Sequence, residues 1–425
     1  MVIPSSAARF GSDRCLCHVL FRQAMLIALL VIATALVARA TEKPSDGAAT
    51  QPSASVAQAV IADAIHAHST VSMGDVARVQ RVLAKARRGE PVTVAVIGGS
   101  ITQGARATTR TKNYGSVLAD WWRQTFPKTK IELINAGIGA TGSNYGALRA
   151  RRDLLSHKPD FVVMEYACND GNAPECVETL EGLVRQTLKE PQQPAVVLLF
   201  MMHTGGGNSQ QYHEKVGRCY RLPMVSFRDA FWPEIQAGRM KWEDIIADQV
   251  HPNDRGHAAA AMCVSDFLEN VLKALPADGQ LPEPPAIPSP LVSDLFEHVA
   301  LLEAGDLRPV RNEGWVFDEK NKCWKSDRPG SRIEFEVEGK AVLLMDWHIR
   351  GPMGKAKVQL DDRAPTVRDA WFNQTWGGYR QTTELARGLA PGKHRITLEI
   401  LPEKDAESTG NEYRLLGLGC AGVPE

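Results

Sequence analysis

The chain has 425 residues, which is too long for one ordinary domain and indicates two, each large enough to bury a core. Lys plus Arg and Asp plus Glu both total 49, so the formal net charge is zero. A chain without an overall electrostatic field gives no indication of a nucleic acid, a membrane surface or a polyanionic substrate as its partner. We therefore expect a neutral or locally patterned partner and no nucleic acid.

The first forty residues have the pattern of a secretory signal. Three arginines precede an apolar stretch from Ala24 to Val37, which ends at Ala38-Arg39-Ala40. This stretch is shorter than the roughly 20 residues that cross a bilayer. We expect cleavage after Ala40, export to the periplasm or beyond, and no stable membrane insertion afterwards; an uncleaved anchor is the alternative. Residues 41–56 predict a flexible tether.

Residues 57–275 alternate between short apolar runs and helical stretches. An amphipathic helix is expected up to about residue 88, before the first run. The predicted strands are 92–98, 131–136, 161–166, 195–202 and 224–227, and the predicted helices are 114–126, 143–156, 174–190, 209–220 and 254–274. Such alternation predicts an α/β domain with a parallel sheet covered by helices on both faces.

A second domain is expected after a proline-rich linker. Residues 276–290 contain six prolines, which predict an extended connection rather than a helix or strand. Within residues 291–425 the pattern changes to short alternating segments at 332–337, 341–347, 355–360 and 394–400, separated by turn residues. This pattern is typical of an antiparallel β-sandwich.

Three residues have the chemistry of an acyl-transfer triad. Ser100 follows the first predicted strand in Gly98-Gly99-Ser100, and Asp248 precedes His251 by three residues. An Asp in this position can bind the Nδ1 proton of the imidazole, which leaves Nε2 free to accept the serine proton. We expect Ser100 to be the nucleophile, His251 the base and Asp248 the residue that orients it, although Ser100 alone is equally explained as a helix cap.

Two further segments follow the next strands and are expected at the same edge of the sheet. Gly137–Gly142 has the form G-x-G-x-x-G, but it follows the second strand and lacks a suitably placed acidic residue, so nucleotide binding is a weak alternative. Backbone N–H groups of this loop and the side chain of Asn169 can instead bind a developing oxyanion. The alternative for Asn169 is a residue that only shapes the Asn-Asp-Gly turn.

The four segments together resemble the SGNH superfamily of GDSL-type esterases and lipases. The blocks are Gly98-Gly99-Ser100, Asn135–Gly142, Ala167–Asp170 and Asp248–Pro252. The resemblance implies a flavodoxin-like three-layer fold, the triad named above, and an oxyanion hole formed by Ser100, Asn169 and either Gly139 or Ala140. Three positions depart from the family pattern: Gly99 replaces Asp, Ala167 replaces Gly, and the second-block Gly falls on Ala140.

The second domain gives the only indication of a substrate. Its aromatic residues suit sugar rings, although some of them are equally explained as sandwich core: Trp347, Trp371, Trp376 and Tyr379. The segment from Leu389 to Leu398 resembles the last strands of jelly-roll modules attached to bacterial carbohydrate esterases of this superfamily. We therefore predict that the protein removes a short acyl group from a polysaccharide or oligosaccharide, with acetyl as the leading candidate. Trp371, Trp376 and Tyr379 are predicted to contact the sugar.

Other functions remain as alternatives at this stage. A lipid or long-acyl esterase uses the same triad, and a non-catalytic glycan-binding protein could keep a degenerate version of the fold. Asp248, His251 and His257 could resemble a metal site, but Pro252 and the start of the last helix place His251 on a loop and His257 in the helix, and the cysteines match no zinc pattern. We therefore expect no metal and no organic cofactor. His257, His203, His213 and Asp170 are expected to have structural roles.

Overall fold

The computed structural model describes residues 63–171, 173–276 and 279–424. The predicted signal (1–40) and tether (41–56) lie outside the described residues and stay predictions. Within the described ranges, no helix combines the length and the apolar composition that a membrane span requires.

The first domain contains a six-stranded sheet whose four central strands are short and almost fully buried, while the two edge strands are partly exposed. Its order is β1-β6-β5-β4-β2-β3, and every neighbouring pair is parallel except β1 and β6. The strands are β1 (Thr70–Ser72), β2 (Val92–Gly98), β3 (Ile131–Gly137), β4 (Phe161–Glu165), β5 (Ala195–Phe200) and β6 (Met224–Ser226). The runs of β-branched and other apolar residues in β2, β4 and β5 are buried because helices cover both faces.

Residues 63–69 are helical, and eight further helices of the described chain belong to this domain. They are α1 (Ala77–Arg87), α2 (Ser100–Gln103), α3 (Tyr114–Thr125), α4 (Ser143–Asp153), α5 (Glu175–Leu188), α6 (Gln210–Cys219), α7 (Phe227–Gln236) and α8 (Asp254–Lys273). Alternate residues of the strands pack against α1, α3, α7 and α8 on one face and against α4, α5 and α6 on the other. The predicted α/β/α architecture is therefore confirmed.

The region before β2 differs from the sequence-based expectation of one long helix. The chain forms strand β1 and turns at Gly74 before α1 begins at Ala77. Gly74 has φ +58°, and a Cβ there would lie 2.4 Å from the carbonyl carbon of Leu222. The chain is helical at residues 63–69 and again in α1, and the pairing of β1 with β6 interrupts the expected helix between them.

The C-terminal part is an antiparallel β-sandwich, as predicted. One sheet has the order β15-β12-β17-β10-β9, with β7 also paired to β17, and the other has the order β14-β13-β16-β11-β8. The strands are β7 (Val299–Glu303), β8 (Arg311–Glu313), β9 (Val316–Asp318), β10 (Cys323–Ser326), β11 (Arg332–Glu338), β12 (Ala341–His348), β13 (Lys355–Leu360), β14 (Thr366–Asp369), β15 (Tyr379–Arg387), β16 (Lys393–Ile400) and β17 (Tyr413–Ala421).

The sandwich packs directly on the helical layer that contains α4 and α5. One hydrophobic cluster includes residues of both parts, among them Leu148 of α4 and Leu343 of β12. Gly419 of β17 lets this contact form, since a Cβ there would lie 2.3 Å from Leu148 Cδ1. The side chain of Asn144 also donates to the carbonyl of Thr382, at 3.3 Å. The shared core fixes β15 next to the edge of the first sheet where the site lies.

Candidate active site

Ser100, His251 and Asp248 lie in hydrogen-bond contact with one another. Ser100 Oγ is 2.9 Å from His251 Nε2, and His251 Nδ1 is 2.9 Å from Asp248 Oδ2 and 3.1 Å from Oδ1. Ser100 is the first residue of α2, directly after β2, while the other two residues lie on the loop before α8. The arrangement allows the imidazole to accept the serine proton while the carboxylate holds the opposite ring nitrogen.

The carboxylate of Asp248 is held in its ionised form by several donors. Its Oδ1 accepts from the backbone N–H groups of Val250 (3.0 Å) and His251 (2.8 Å). Partial burial opposes ionisation, but these bonds, the His251 ring and the Arg106 guanidinium outweigh it and hold the pKa of Asp248 well below its usual range. The charge that stabilises a protonated His251 is thus present at every physiological pH.

A buried arginine links the three segments that surround Ser100. Arg149 of α4 is fully buried, and its Nη2 donates to the carbonyl of Gly98 (3.3 Å) and to the hydroxyl of Tyr166 (3.1 Å). The same Gly98 carbonyl accepts the N–H of Ile138 at 3.1 Å. The ends of β2, β3 and β4 are therefore tied together directly below the serine.

The second-block loop offers Ala140, rather than Gly139, as the free backbone donor. The N–H of Gly139 donates to Gln103 Oε1 at 3.0 Å, whereas the N–H of Ala140 has no partner among the described residues. Ala140 also has φ +55°, in the left-handed region that favours glycine. This backbone conformation gives a physical reason for a Gly at this position of the family pattern.

Asn169 lies against the turn that carries the nucleophile. Its backbone N–H donates to the carbonyl of Tyr166 at 2.9 Å, which forms the turn after β4. The side-chain oxygen faces Gly99 and has no partner among the described residues. Asn169 and Ala140 line the same cavity. The structure therefore brings the predicted oxyanion donors to one edge of the sheet.

The glycines of the G-x-G-x-x-G segment are explained by packing. A Cβ on Gly137 would lie 2.2 Å from the backbone nitrogen of Gln103, and one on Gly142 would lie 2.6 Å from Asp170 Oδ1. Both glycines let this loop approach α2 and the end of β4 closely. A nucleotide is not needed to account for them.

Asp170 and His213 form a buried pair beside the site. Asp170 Oδ2 is 2.8 Å from His213 Nε2, and Oδ1 accepts the N–H of Ser143 at 2.7 Å. Cys176 lies close enough to make these three a possible ligand set in the described part of the chain. Burial raises the pKa of the Cys176 thiol to about 12, and both carboxylate oxygens already have partners. These hydrogen bonds give the cluster a structural role, because Asp170 of the third block holds Ser143, which directly follows the second block.

A second buried carboxyl group lies beneath α2. Glu165, the last residue of β4, accepts a hydrogen bond from the hydroxyl of Thr102 at 3.2 Å, and that hydroxyl is 2.8 Å from the hydroxyl of Tyr114. Complete burial raises the pKa of Glu165 to about 8. The sequence did not predict this neutral carboxyl group under the nucleophile helix.

A cavity of about 400 Å³ lies between the oxyanion loops and the sandwich. The first domain contributes Ala140 and Asn169 to its wall, and strand β15 contributes Arg380, Gln381 and Arg387. Polar side chains of the second domain therefore lie next to the predicted oxyanion donors.

The three aromatic residues predicted to contact substrate lie in two different environments. Trp376 and Tyr379 form an aromatic cluster with Phe372, with ring centroids 4.9–5.7 Å apart. Trp376 is 60% exposed, and Tyr379 begins β15, whose next residues line the cavity. Trp371 instead packs against the sandwich core, with Arg350 over its ring.

Comparison with known proteins supports this picture. Residues 96–259 match the family model for the GDSL-like lipase/acylhydrolase family. Thioesterase 1/protease 1/lysophospholipase L1 of Escherichia coli (strain K12) is 25% identical over 202 residues, which are 46% of this chain and 89% of that protein. The crystal structure of a two-domain esterase (CEX) active on acetylated mannans, co-crystallized with mannopentaose, is 30% identical with a TM-score of 0.77 and covers 85% of this chain and 98% of its own.

Proposed function

The chain belongs to the GDSL-like lipase/acylhydrolase family of ester hydrolases, and we propose that it is an exported esterase that removes acetyl groups from a polysaccharide. The observation that carries the substrate class is the extent of the similarity to the acetylmannan esterase, which includes both domains. Acetylated mannan is therefore the first substrate to test. Export rests on the signal pattern of residues 1–40.

In the proposed mechanism, Ser100 Oγ attacks the ester carbonyl while its proton moves to His251 Nε2. Asp248 accepts the Nδ1–H bond and stabilises the imidazolium. The oxyanion binds the backbone N–H groups of Ser100 and Ala140 and the side-chain amide of Asn169. His251 then protonates the departing sugar oxygen, and a water molecule, deprotonated by the same imidazole, releases acetate from Ser100.

The aromatic cluster and the cavity are joined by strand β15, and together they are the surface proposed for the polysaccharide. The exposed ring of Trp376 can stack on a sugar ring, and β15 leads from this cluster to the cavity beside Asn169. Arg380 and Gln381 supply polar groups for sugar hydroxyls along the same path. Trp371 does not join this surface and is left out of the proposal.

A lipid or long-acyl esterase is the second candidate, because the Escherichia coli relative carries the name lysophospholipase L1. That similarity covers less than half of this chain, whereas the two-domain similarity also includes the sandwich. Rates on p-nitrophenyl esters from acetyl to octanoyl separate the two. A rate that falls with acyl length supports the acetylesterase, and one that rises supports the lipid enzyme.

The proposed substrate is tested by acetate release from acetylated mannan, with acetylated xylan and a lysophospholipid as competitors. Wild type is compared with Ser100→Ala and with Ser156→Ala, which removes an exposed hydroxyl bonded to the Arg152 carbonyl. We expect acetate from the mannan with wild type and Ser156→Ala and none with Ser100→Ala. Release of fatty acid from the lipid alone would overturn the proposal.

A further inference from the structure

The loop that follows the nucleophile helix is bound to α8, the helix that begins just after Asp248 and His251. The carbonyl of Ala105 lies 3.0 Å from His257 Nε2. Thr108 donates to Asp254 through its backbone N–H (2.8 Å) and its hydroxyl (2.7 Å). Residues 104–112 therefore connect the serine side of the site to the histidine side.

Arg106 in this loop reaches the triad carboxylate itself. Its Nε donates to Asp248 Oδ2 at 2.9 Å, the same oxygen that lies 2.9 Å from His251 Nδ1. Arg106 has φ +66°, a left-handed conformation that is unfavourable for a residue with a Cβ. A strained backbone beside an active site is retained where the surrounding contacts hold it. Here those contacts are the bonds of the loop to α8.

We propose that Arg106 is a positioning residue that shares Asp248 Oδ2 with His251 and thereby sets the basicity of the catalytic imidazole. This inference rests on the proposed Ser-His-Asp mechanism. The cation neutralises part of the carboxylate charge, so Asp248 stabilises protonated His251 less than a free carboxylate would. The imidazole consequently stays neutral, and able to accept the serine proton, at lower pH.

The other charged and titratable groups around Asp248 and His251 come from four neighbouring segments. The serine-side loop contributes Lys112, which is 2.7 Å from Asp254. The groups on the remaining segments are Glu243 and Asp244 before the triad loop, Asp254 and His257 on α8, and His203 on the loop that Thr204 binds to Gln249. Of the arginines and lysines, Arg106 is the one bonded to Asp248 in the described part of the chain.

The test is the pH profile of kcat/KM for p-nitrophenyl acetate with wild type, Arg106→Met and Arg106→Lys. Without the cation, Asp248 stabilises the protonated imidazole more strongly. The acid limb of the kcat/KM profile of Arg106→Met is therefore expected about half a pH unit higher than that of wild type. Arg106→Lys keeps a charge in this place and should shift the limb by less. Arg110→Met is the matched control, because it removes a charge from the same loop without contacting Asp248, and its limb should stay in place.

The wild-type protein supplies an independent measurement. Arg106 is 61% exposed, so salt screens its interaction with Asp248, and the wild-type acid limb is expected to move upward between 50 mM and 1 M NaCl. An Arg106→Met enzyme that loses activity equally at every pH, or a wild-type limb that salt does not move, would overturn the proposal. A wild type without Ser100-dependent hydrolysis would overturn the proposed mechanism instead.

Discussion

The side chain of Asn169 occupies the space that a side chain on Gly99 would fill. A Cβ on residue 99 would lie 1.9 Å from Asn169 Oδ1 and 2.5 Å from Cγ. The family pattern usually has Asp at this position, so Gly99 could suggest a degenerate site. The structure explains Gly99 differently, because the absence of a side chain there lets the amide of Asn169 approach the nucleophile turn.

This contact predicts a coupled effect of two substitutions. Asn169→Ala removes an oxyanion donor and should lower kcat by about 10²–10³. Gly99→Ala should displace the same amide and cause a comparable loss. Because both act on one group, the double variant should be little worse than Asn169→Ala alone in steady-state kinetics. Losses that multiply would show that Gly99 acts independently of Asn169.

Ala140 is expected to serve through its backbone alone. Ala140→Gly keeps the N–H and relieves the left-handed conformation at φ +55°, so kcat should stay within a few-fold of wild type. Ala140→Val places a β-branched side chain in that conformation and should distort the loop, with a larger loss of kcat than of substrate affinity. Equal activity of the two variants would contradict the assignment of Ala140 as a donor.

Glu165 predicts a specific pH dependence of stability. Its pKa is about 8 in the folded protein and about 4.5 when unperturbed, so the folded state retains a proton that the unfolded state loses. The stability contributed by the protonated carboxyl is complete below about pH 4.5 and is lost as pH rises to about 8. Glu165→Gln cannot ionise. Over this range wild type should lose roughly 3–5 kcal/mol relative to Glu165→Gln.

Urea unfolding of both proteins at several pH values measures this difference. Glu132→Gln on β3 is a suitable control, because residue 132 is exposed and its substitution should leave the wild-type pH dependence unchanged. Parallel curves for wild type and Glu165→Gln would contradict the assignment of a neutral buried carboxyl group.

Trp376 should contribute to the binding of a polysaccharide and not to the hydrolysis of a small ester. Trp376→Ala removes the exposed ring of the aromatic cluster and should raise KM for acetylated mannan several-fold, since one stacking contact contributes about 1 kcal/mol. Hydrolysis of p-nitrophenyl acetate should be unchanged. Val316→Ala, which changes a similarly exposed apolar residue on β9, is the control. Equal effects on both substrates would argue against a sugar contact at Trp376.

The sequence predicted the parts of the site that depend on local pattern. Asp248 and His251 are three residues apart on one loop, and Ser100 and Asn169 follow neighbouring strands, so strand order alone brings them together. The contacts of Arg106 and Arg149 could not be predicted in this way. They join residues that are 142 and 51 positions apart through a strained loop and a buried guanidinium, and neither has a signature in the local sequence.

The second oxyanion donor shows the same limit. The sequence left Gly139 and Ala140 as alternatives, because the donor is a backbone N–H and both residues have one. The bond of Gly139 to Gln103 and the left-handed conformation of Ala140 separate them, and both depend on how the loop packs on α2.

The most direct test of the account is mass spectrometry of the protein quenched during turnover of an acetyl ester. The proposed mechanism predicts one acetyl group on the peptide that contains Ser100 and no acetyl group in Ser100→Ala. Turnover without a labelled Ser100 peptide, or an acetyl group on another residue with undiminished activity of Ser100→Ala, would contradict it.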